Sequence, residues 1–464
     1  MYLLDNTLRP YAWGSEHAIA ELLGREPSGG PEAELWVGAH PGSPSQVLLA
    51  DGSRRGLDEL IGSDPEALLG PVVAARFDGR LPFLLKVLAA GSALSLQVHP
   101  SLEQAAAGYD AEEAAGVPRD APHRNYRDRN HKPEMIFALT PFEALCGFRP
   151  LAEARAAFAS LAGLVDAGTP ARELLDAVAR TLGEDAAGNP AETTAENPTG
   201  DAAAPASAAL QSAFRRLLET PEDVVTAVTT AAGEQHGTAD DAGGSRAGTL
   251  ATVAELSHQY PGDPGVLVAL LLNRVSLQPG QALHLPAGNI HAYLGGLGIE
   301  VMASSDNVLR GGLTPKHVDT GELLDTVVFE PLAPPALEAQ FTFLDQELYR
   351  PPFDEFLLQR MLLGDPAADG TGTGSAAEGS RAPAHCPVLQ NGPVVVLAVS
   401  GAILLDTPNS SLLVPRGGSA FVAASEAPLL ARPAADHDGA TDGPVLAFAV
   451  TVGGDVPTAL TRNS

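Results

Sequence analysis

The spacing of apolar residues changes twice along the chain. Up to about residue 150, short apolar runs such as SQVLLADG, PFLLKVL, ALSLQVHP and PEMIFALT are separated by turn residues, which is typical of a β sandwich or barrel. From about Leu151 to Ser257, apolar residues recur at i, i+3 and i+4 and predict amphipathic helices. Short β-type runs return from about Asn273. The pattern predicts a mainly β protein with an α-helical insert.

The helical block separates motifs that carry polar chemistry, so one β domain interrupted by an insert is a more economical arrangement than three independent domains. Two small, polar, acidic stretches begin at Gly183 and Gly233, and DPAADGTGTGSAAEGSRAPAH follows further on. Such stretches bury too little apolar surface to order themselves, and we expect them to be flexible.

Charge and cysteine content restrict the possible partners. The net charge of −29 and the pI of about 4.6 argue against binding to nucleic acid or to an anionic membrane. Cys146 and Cys386 are far apart in sequence, which disfavours a disulfide framework or a cysteine metal site. We find neither a secretory signal nor an apolar run of the ~20 residues that span a bilayer, and we expect a cytoplasmic protein.

Three lysines account for a small part of the 28 lysines and arginines: Lys86, Lys132 and Lys316. All three lie in short stretches rich in other reactive residue types. Lysine is retained where a compact ammonium is required and a planar guanidinium would not fit. Compositional drift with three accidental survivors is the alternative explanation.

Two predicted strands place polar residues on one face. In SALSLQVHP, Ser95, Gln97 and His99 alternate with apolar residues, so all three point to the same side of a strand. In HKPEM, Lys132 and Glu134 share a face and follow His131. A polar face inside a barrel indicates a site, whereas a solvent-facing edge strand would give the same alternation.

Two later motifs add further candidate residues. PGQALHLPAGNIHAYLGG places His291 at the start of a strand, with a spacing close to the second motif of the cupin barrels; Gly295 departs from the Asn usual there. EVMASSDNVLRGGLTPKHVD supplies four charged residues: Glu300, Asp306, Arg310 and Lys316.

Four of these residues form a plausible metal site. They offer two imidazoles, one carboxylate and one amide oxygen, a set that suits Zn²⁺ and leaves room for water or substrate: Gln97, His99, Glu134 and His291. Their formal charge of about −1 would leave the bound ion a net positive charge and Lewis acidity. Iron, manganese or cobalt could use the same ligands.

These motifs together resemble type I mannose-6-phosphate isomerase (phosphomannose isomerase), a cupin family. The resemblance also covers YAWGS, ELWVGAHPGSPS and ALCGFRP, and it is dense over the first 150 residues and over about 279–320. It implies two cupin-type (jelly-roll) barrels plus a helical domain. The implied segments are a catalytic barrel of residues 1–150 and 263–328, a helical insert of 151–262, and a C-terminal cupin-like domain of 329–464.

The resemblance also implies roles for individual residues. The family's zinc ligands fall on Gln97, His99, Glu134 and His291, with one Zn²⁺ per chain, and its essential arginine falls on Arg310. Phosphate-binding positions would be Ser95, Lys86 and Lys316. The implied reaction interconverts D-mannose 6-phosphate and D-fructose 6-phosphate in a monomeric enzyme.

An aldose–ketose isomerisation through an enediol(ate) requires a base, a proton shuttle and positive charge for the developing oxyanion. We expect Arg310 to stabilise the enediolate and Lys132 to act as base or shuttle. His131 and Asp306 are candidates for ring opening and proton relay, and Glu300 is a second candidate base that would also contact substrate.

Two other functions are compatible with the metal ligands. An iron-dependent cupin oxygenase also uses two histidines and a carboxylate, but the amide ligand and the lysine–arginine set disfavour it. A non-catalytic sugar-phosphate-binding cupin is the second alternative, because a fold alone does not determine a function. Lys132 and Arg310 beside a complete ligand set argue for catalysis.

Overall fold

The computed structural model describes residues 1–49, 51–184, 203–236, 245–364, 383–434 and 444–454. The central parts of the three stretches expected to be flexible, 185–202, 237–244 and 365–382, lie outside the described residues. Within the described ranges the protein consists mainly of β sheets with helices, as the sequence predicts.

The strands follow one another as β1 (Tyr2–Asp5), β2 (Thr7–Arg9), β3 (Glu34–Gly38), β4 (Gln46–Leu48), β5 (Arg54–Gly56), β6 (Phe83–Ala90), β7 (Gln97–Val98), β8 (Glu134–Ala138), β9 (Phe142–Phe148), β10 (Leu272–Leu277), β11 (Ala282–Leu285), β12 (His291–Ala303), β13 (Leu309–Arg310), β14 (Ala336–Leu337), β15 (Gln340–Phe341), β16 (Glu347–Tyr349), β17 (Leu357–Leu363), β18 (Cys386–Val388), β19 (Val394–Ser400), β20 (Ile403–Asp406), β21 (Ser411–Val414), β22 (Ser419–Val422), β23 (Leu429–Pro433) and β24 (Val445–Thr451).

The α helices are α1 (Ala18–Leu23), α2 (Leu57–Ser63), α3 (Pro65–Leu69), α4 (Pro71–Arg76), α5 (Leu102–Ala114), α6 (Leu151–Ala162), α7 (Pro170–Glu184), α8 (Ala203–Leu218), α9 (Glu222–His236), α10 (Ser245–Gln259), α11 (Gly265–Val268) and α12 (Thr320–Thr326). Within the described residues, we find no helix long and apolar enough to cross a membrane.

The strand β12 organises the sheet that carries the candidate site. Its amino-terminal part pairs with β7 and β9, and its carboxyl-terminal part pairs with β6 and β8. The sheet continues through β3 and β2 on one side and through β11 and β14 on the other. One long strand therefore lies at the centre of a sheet whose segments come from residues 7 to 337, and its pairing with β9 contains a register shift between Tyr293 and Gly295.

A second large sheet joins the two ends of the chain. Its strand order is β15-β16-β17-β24-β19-β22-β1-β4-β5, and the register pairs Leu3 with Ala420. Three amino-terminal strands thus extend a sheet otherwise built from residues after 340. A separate four-stranded sheet, β18-β23-β20-β21, lies in the same later part of the chain.

The two large sheets share one apolar core. Phe137 of β8 packs edge to face against Tyr349 and Phe448 from the second sheet, with ring centroids 5.1 and 5.2 Å apart. Each buried aromatic side chain of this kind contributes about 1.5–3 kcal/mol from burial. The core fixes the later part of the chain against the sheet that carries the site.

The helices α6–α10 lie between β9 and β10, which pair with each other across this intervening segment. Their apolar faces form a core around Phe158 and Phe214 that also includes Leu96 and Val98 at the candidate site. The apolar side of the SALSLQVHP segment is therefore turned toward the helices. The alternate residues, including Gln97, face the other way.

A close backbone contact ties α11 to the segment that follows β13. Gly312 has a φ of 118°, and a Cβ there would lie 2.6 Å from the Cα of Gly265. Asp263 holds the contact, because its carboxylate accepts from the backbone N–H groups of Gly265 at 2.7 Å and of Leu313 and Thr314, both at 3.0 Å.

Replacing Asp263→Ala should therefore lower the free energy of unfolding by about 1–3 kcal/mol, because backbone donors lose their acceptor. Urea denaturation followed by circular dichroism measures the change. Asp166→Ala, which removes an exposed carboxylate, is the matched control and should leave stability within about 0.5 kcal/mol of the parent protein. Equal stabilities of the two variants would contradict this role of Asp263.

Candidate metal centre and active site

Three strands bring together two imidazoles and a carboxylate. His99 follows β7, Glu134 begins β8 and His291 begins β12, and their ligand atoms all lie within 4.8 Å of one another. Each histidine Nε2 is 3.4 Å from one oxygen of Glu134. All three side chains are buried, with at most 3% of each exposed.

Backbone carbonyls set the tautomer of both histidines. The Nδ1 of His99 lies 2.8 Å from the carbonyl oxygen of Asn307, and the Nδ1 of His291 lies 3.0 Å from that of Asn289. A carbonyl only accepts, so each Nδ1 must carry the proton and donate it. Each Nε2 therefore presents a lone pair toward Glu134.

Two acceptors that face each other at 3.4 Å repel unless a cation lies between them. The Nε2 of His99 accordingly has no hydrogen-bond partner among the described residues, although it is buried. Ligand atoms about 2.0–2.2 Å from Zn²⁺ in a tetrahedral arrangement are about 3.3–3.5 Å apart, which matches the observed spacing. The donor set fits a zinc ion.

The protonation states of His99 and Glu134 also favour metal binding. Burial and the charge of Lys132 lower the pKa of His99 to about 4. Burial alone would raise the pKa of Glu134, but Lys132 and the histidines hold it well below its ordinary value. The imidazole of His99 and the carboxylate of Glu134 are thus in the states that bind metal ions at neutral pH.

The register of neighbouring strands places Gln97 beside this group. Gln97 pairs with His291 on one side and with Arg310 of β13 on the other. Directly opposed residues in an antiparallel pair point to the same face. Leu96 exchanges backbone hydrogen bonds with Gly311 and Gly312, which puts Ser95 next to the segment that follows Arg310.

Lys132 contacts Glu134, the carboxylate of the candidate metal site, directly. Its Nζ donates to Oε1 of Glu134 at 2.6 Å, and both side chains are buried. The ammonium of Lys132 therefore lies at the edge of the candidate metal site.

Lys86 lies in a second buried group of charges. Its Nζ is 2.9 Å from Glu300 and 3.5 Å from Glu34, and it lies 5.3 Å from the ring centroid of Trp36. Burial would lower the pKa of Lys86, but the carboxylates of Glu300 and Glu34 raise it. The charge of the Lys86 ammonium is thus neutralised by neighbouring carboxylates.

Glu300 itself is a candidate for proton exchange. Burial and the nearby carboxylates of Glu134 and Glu34 raise its pKa, although Lys86 opposes them. The hydroxyl of Tyr293 on the same strand is buried without a hydrogen-bond partner among the described residues. Burial and the charges of Glu300 and Glu134 raise the pKa of Tyr293.

Arg310 and Lys316 form the cationic side of the site. Burial lowers the pKa of both groups; the charge of Arg127 acts on both in the same direction, and that of Arg310 acts on Lys316. None of the three has an ion-pair partner within the described ranges. In a chain with a net charge of −29, such a cluster of like charges suits an anionic ligand.

A cavity of about 700 Å³ has a wall that includes His40, Asp306 and His131, together with Arg127 of the cationic cluster, whereas none of the candidate metal ligands lines it. The Nε2 of His40 lies 3.6 Å from Asp306, and its Nδ1 accepts from the backbone of Gly42 at 3.1 Å. Burial lowers the pKa of His40, and Asp306 partly offsets the effect. A volume of this size accommodates a small ligand.

Asn307 fixes the loop that precedes Lys132. It is fully buried; its side chain accepts from the backbone of Arg127 at 2.7 Å and donates to the carbonyls of Asp128 and Asn130 at 2.8 and 2.9 Å. Since its own carbonyl also holds His99, one side chain and one backbone group couple this loop to the metal site.

Six residues in or beside the candidate site, including Glu355 of the cavity wall, had no role predicted from the sequence: Glu34, His40, Arg127, Tyr293, Asn307 and Glu355. Glu34 and His40 lie in ELWVGAHP. A charged residue inside an apolar strand and a histidine just after it could have indicated a site there. Both cysteines are free, as expected.

Metal-free protein should lose stability as the pH falls from 6.5 toward 4. The folded-state pKa of His99, about 4, lies below the unfolded value of 6.5, so the unfolded chain binds more protons in this window. The free energy of unfolding should fall by roughly 3 kcal/mol, and the depressed pKa of Glu134 adds a loss of the same sign below about pH 4.5.

Chemical denaturation of chelator-treated protein between pH 7 and 4 measures this dependence. His99→Gln removes one titrating group and should reduce the slope of the profile above pH 4.5, with the lowered pKa of His40 accounting for part of the remaining slope, whereas His17→Gln at an exposed position serves as the control. Parallel profiles for all three proteins would refute the assignment.

Comparisons with known proteins agree on one family. Residues 1–151 match the model of the phosphomannose isomerase type I catalytic domain. Mannose-6-phosphate isomerase of Escherichia coli (strain K12) is 38% identical over 433 residues, covering 92% of this chain and 96% of that protein. The human mannose-6-phosphate isomerase is 31% identical over 444 residues, covering 92% and 94%.

Solved structures give the same result. A phosphomannose isomerase variant from Salmonella typhimurium superposes with a TM-score of 0.78 at 31% identity, over 98% of this chain and 99% of that one. A zinc-bound mannose 6-phosphate isomerase superposes with a TM-score of 0.76 at 32% identity, over 97% and 98%. With relatives that match over nearly its whole length, this chain belongs to the type I phosphomannose isomerase family.

Proposed function

We propose that the chain is a zinc-dependent aldose–ketose isomerase that interconverts D-mannose 6-phosphate and D-fructose 6-phosphate through an enediol(ate). The observation that carries this proposal is the buried group in which two histidine lone pairs face one carboxylate at 3.4 Å, with a lysine ammonium 2.6 Å from that carboxylate. We infer the substrate and the metal from the family to which the chain belongs.

One zinc ion per chain would be held by His99, Glu134 and His291, with Gln97 as the fourth ligand. Bound zinc supplies a Lewis acid that polarises the sugar oxygens. The protein holds both imidazoles in the correct tautomer through backbone carbonyls, and it buries the ligands so that few waters compete.

The reaction moves one proton from C2 to C1 and another between O1 and O2. Lys132 takes and returns a proton at Nζ, with Glu134 holding the ammonium in place. Glu300 is the alternative base, because a carboxyl with a raised pKa exchanges protons near neutral pH more readily. His131 and Asp306 assist ring opening from the cavity wall.

The cations are divided between two tasks. Arg310 stabilises the negative charge of the enediolate, while Lys316 and the hydroxyl of Ser95 bind the phosphate. Lys86 is already neutralised by carboxylates. Its partner Glu300, 2.9 Å away, would therefore make the contact with the substrate. The same arrangement disfavours an oxygenase, which has no use for a cationic phosphate cradle.

We also propose the domain organisation implied by the sequence: two cupin-type barrels, with a helical insert of residues 151–262 inside the first. The antiparallel pairing of β9 with β10 across the helical segment supports an insertion, because the strands on either side of the helices close the same sheet. The expectations of a monomer and of a cytoplasmic location stay predictions.

The first experiment is a coupled assay for fructose 6-phosphate formed from mannose 6-phosphate. Activity should disappear after complete removal of the metal by a chelator and return with Zn²⁺. Incubation with Fe²⁺ and O₂ under the same conditions should oxidise no sugar. Full isomerisation by verified metal-free protein would exclude the zinc mechanism, and no isomerisation by zinc-loaded protein would exclude the proposed reaction.

Lys132→Arg should fold and retain its zinc but lose on the order of 10² or more in kcat. A guanidinium keeps the charge next to Glu134, yet it does not exchange a proton at neutral pH. Metal analysis and steady-state kinetics measure both properties. Arg180→Lys, on the surface of α7, serves as the control for exchange of the two cations. Near-normal turnover of Lys132→Arg would assign proton transfer to another group, with Glu300 next.

A further inference from the structure

A residue from the later part of the chain makes direct contact with a proposed catalytic group. The Nε2 of His131 lies 2.6 Å from Oε1 of Glu355, which is 224 residues away in sequence. The side chains are 26% and 15% exposed, so solvent screens this contact only in part. Glu355 lies between β16 and β17 of the second large sheet.

The segment around Glu355 is held firmly in place. Phe356 is fully buried in the core shared by the two large sheets, and the ring of Phe353 contacts His284 of the first sheet with centroids 5.7 Å apart. Gly453 approaches so closely that a Cβ there would lie 2.5 Å from the carbonyl oxygen of Phe353. Asp354 forms an ion pair with Arg76 of α4.

The contact selects one tautomer of His131. A carboxylate accepts hydrogen bonds only, so Nε2 must carry the proton that points at Glu355. In the neutral ring, Nδ1 is then an acceptor. His131 lines the cavity, and no hydrogen bond to its Nδ1 occurs among the described residues.

The second oxygen of Glu355 strengthens the argument for a role beyond structure. Its Oε2 is buried and has no hydrogen-bond partner among the described residues, although the residue lines the same cavity. A buried carboxylate oxygen without a donor costs free energy, because its hydration is lost and not replaced. A ligand hydroxyl or an ordered water in the cavity would replace it.

We propose that Glu355 is a positioning residue of the active site: it holds the imidazole of His131 with Nε2–H bonded to the carboxylate. Nδ1 then accepts the proton of the anomeric O1 hydroxyl as the C1–O5 bond of the sugar ring breaks and C1=O forms, and the ring oxygen takes a proton from solvent in the cavity. The inference rests on the proposed isomerase function. The later part of the chain, which carries Glu355 in the second large sheet, therefore contributes a residue to the active site in addition to stabilising the fold.

The test uses zinc-loaded full-length protein. Glu355→Ala should lower kcat on the order of tenfold to hundredfold, with KM changing less than about threefold and zinc content unchanged. Glu355→Gln keeps an acceptor for Nε2–H and should recover most of the loss. The control is Glu103→Ala, which removes an exposed carboxylate near His131 that does not bond it.

Two further measurements separate positioning from simple stabilisation. In the background of His131→Ala, the additional change Glu355→Ala should cost no further activity, since both act through one imidazole. Nitrogen-15 NMR of the His131 ring should show the Nε2–H tautomer in the parent protein and its loss in Glu355→Ala. This spectrum does not depend on turnover.

The outcomes are distinguishable. If His131→Ala impairs turnover while Glu355→Ala does not, or if the tautomer is unchanged in Glu355→Ala, the positioning role is excluded and the isomerase assignment stands. If Glu355→Ala fails to fold, Glu355→Gln and the NMR of the parent protein still decide the tautomer. If the parent protein does not isomerise mannose 6-phosphate, the proposed function itself is excluded.

Discussion

The candidate site depends on one constraint: buried hydrogen-bond acceptors of three side chains face one another and repel. The Nε2 atoms of His99 and His291 each lie 3.4 Å from a carboxylate oxygen of Glu134, and in the neutral rings the backbone carbonyls hold the proton on Nδ1, so that each Nε2 is an acceptor. A bound metal cation would relieve this repulsion. The long strand β12 and its neighbours β7 and β8 keep the three side chains together, and the apolar faces of those strands are buried against other layers of the fold.

Charge compensation around this group gives two of the three lysines a structural role. Lys132 neutralises Glu134 from one side, and Lys86 lies between Glu34 and Glu300 on the other. Each buried carboxylate would otherwise pay a desolvation cost of several kcal/mol. Arg310 and Lys316 lack such partners within the described residues, so their field is free to act on an anion. The molecule thus keeps a local cationic surface inside a strongly acidic chain.

The sequence predicted a mainly β protein with helices, and it indicated which polar residues come together, because strand alternation is a local property. The alternation around Gln97 predicted which side chains share a face, and the helical periodicity predicted the block between β9 and β10. Long-range pairing was not predictable in the same way. The short run at β1 gives no sign that it pairs with β22, and nothing near Glu355 indicates His131, because such contacts depend on how whole sheets pack. Asn307 was missed because its role lies in backbone and loop contacts.

Packing between the two large sheets has a consequence for catalysis that neither sheet shows alone. Phe137 follows Glu134 by three residues on β8, and its ring contacts Tyr349 and Phe448 of the second sheet. The same interface carries Phe356, the neighbour of Glu355. A change in this core would therefore shift the metal ligand and the partner of His131 relative to each other. Misplacement of reacting groups by about 1 Å lowers rates on the order of 10²-fold, so the apolar interface bears directly on the geometry of the proposed active site.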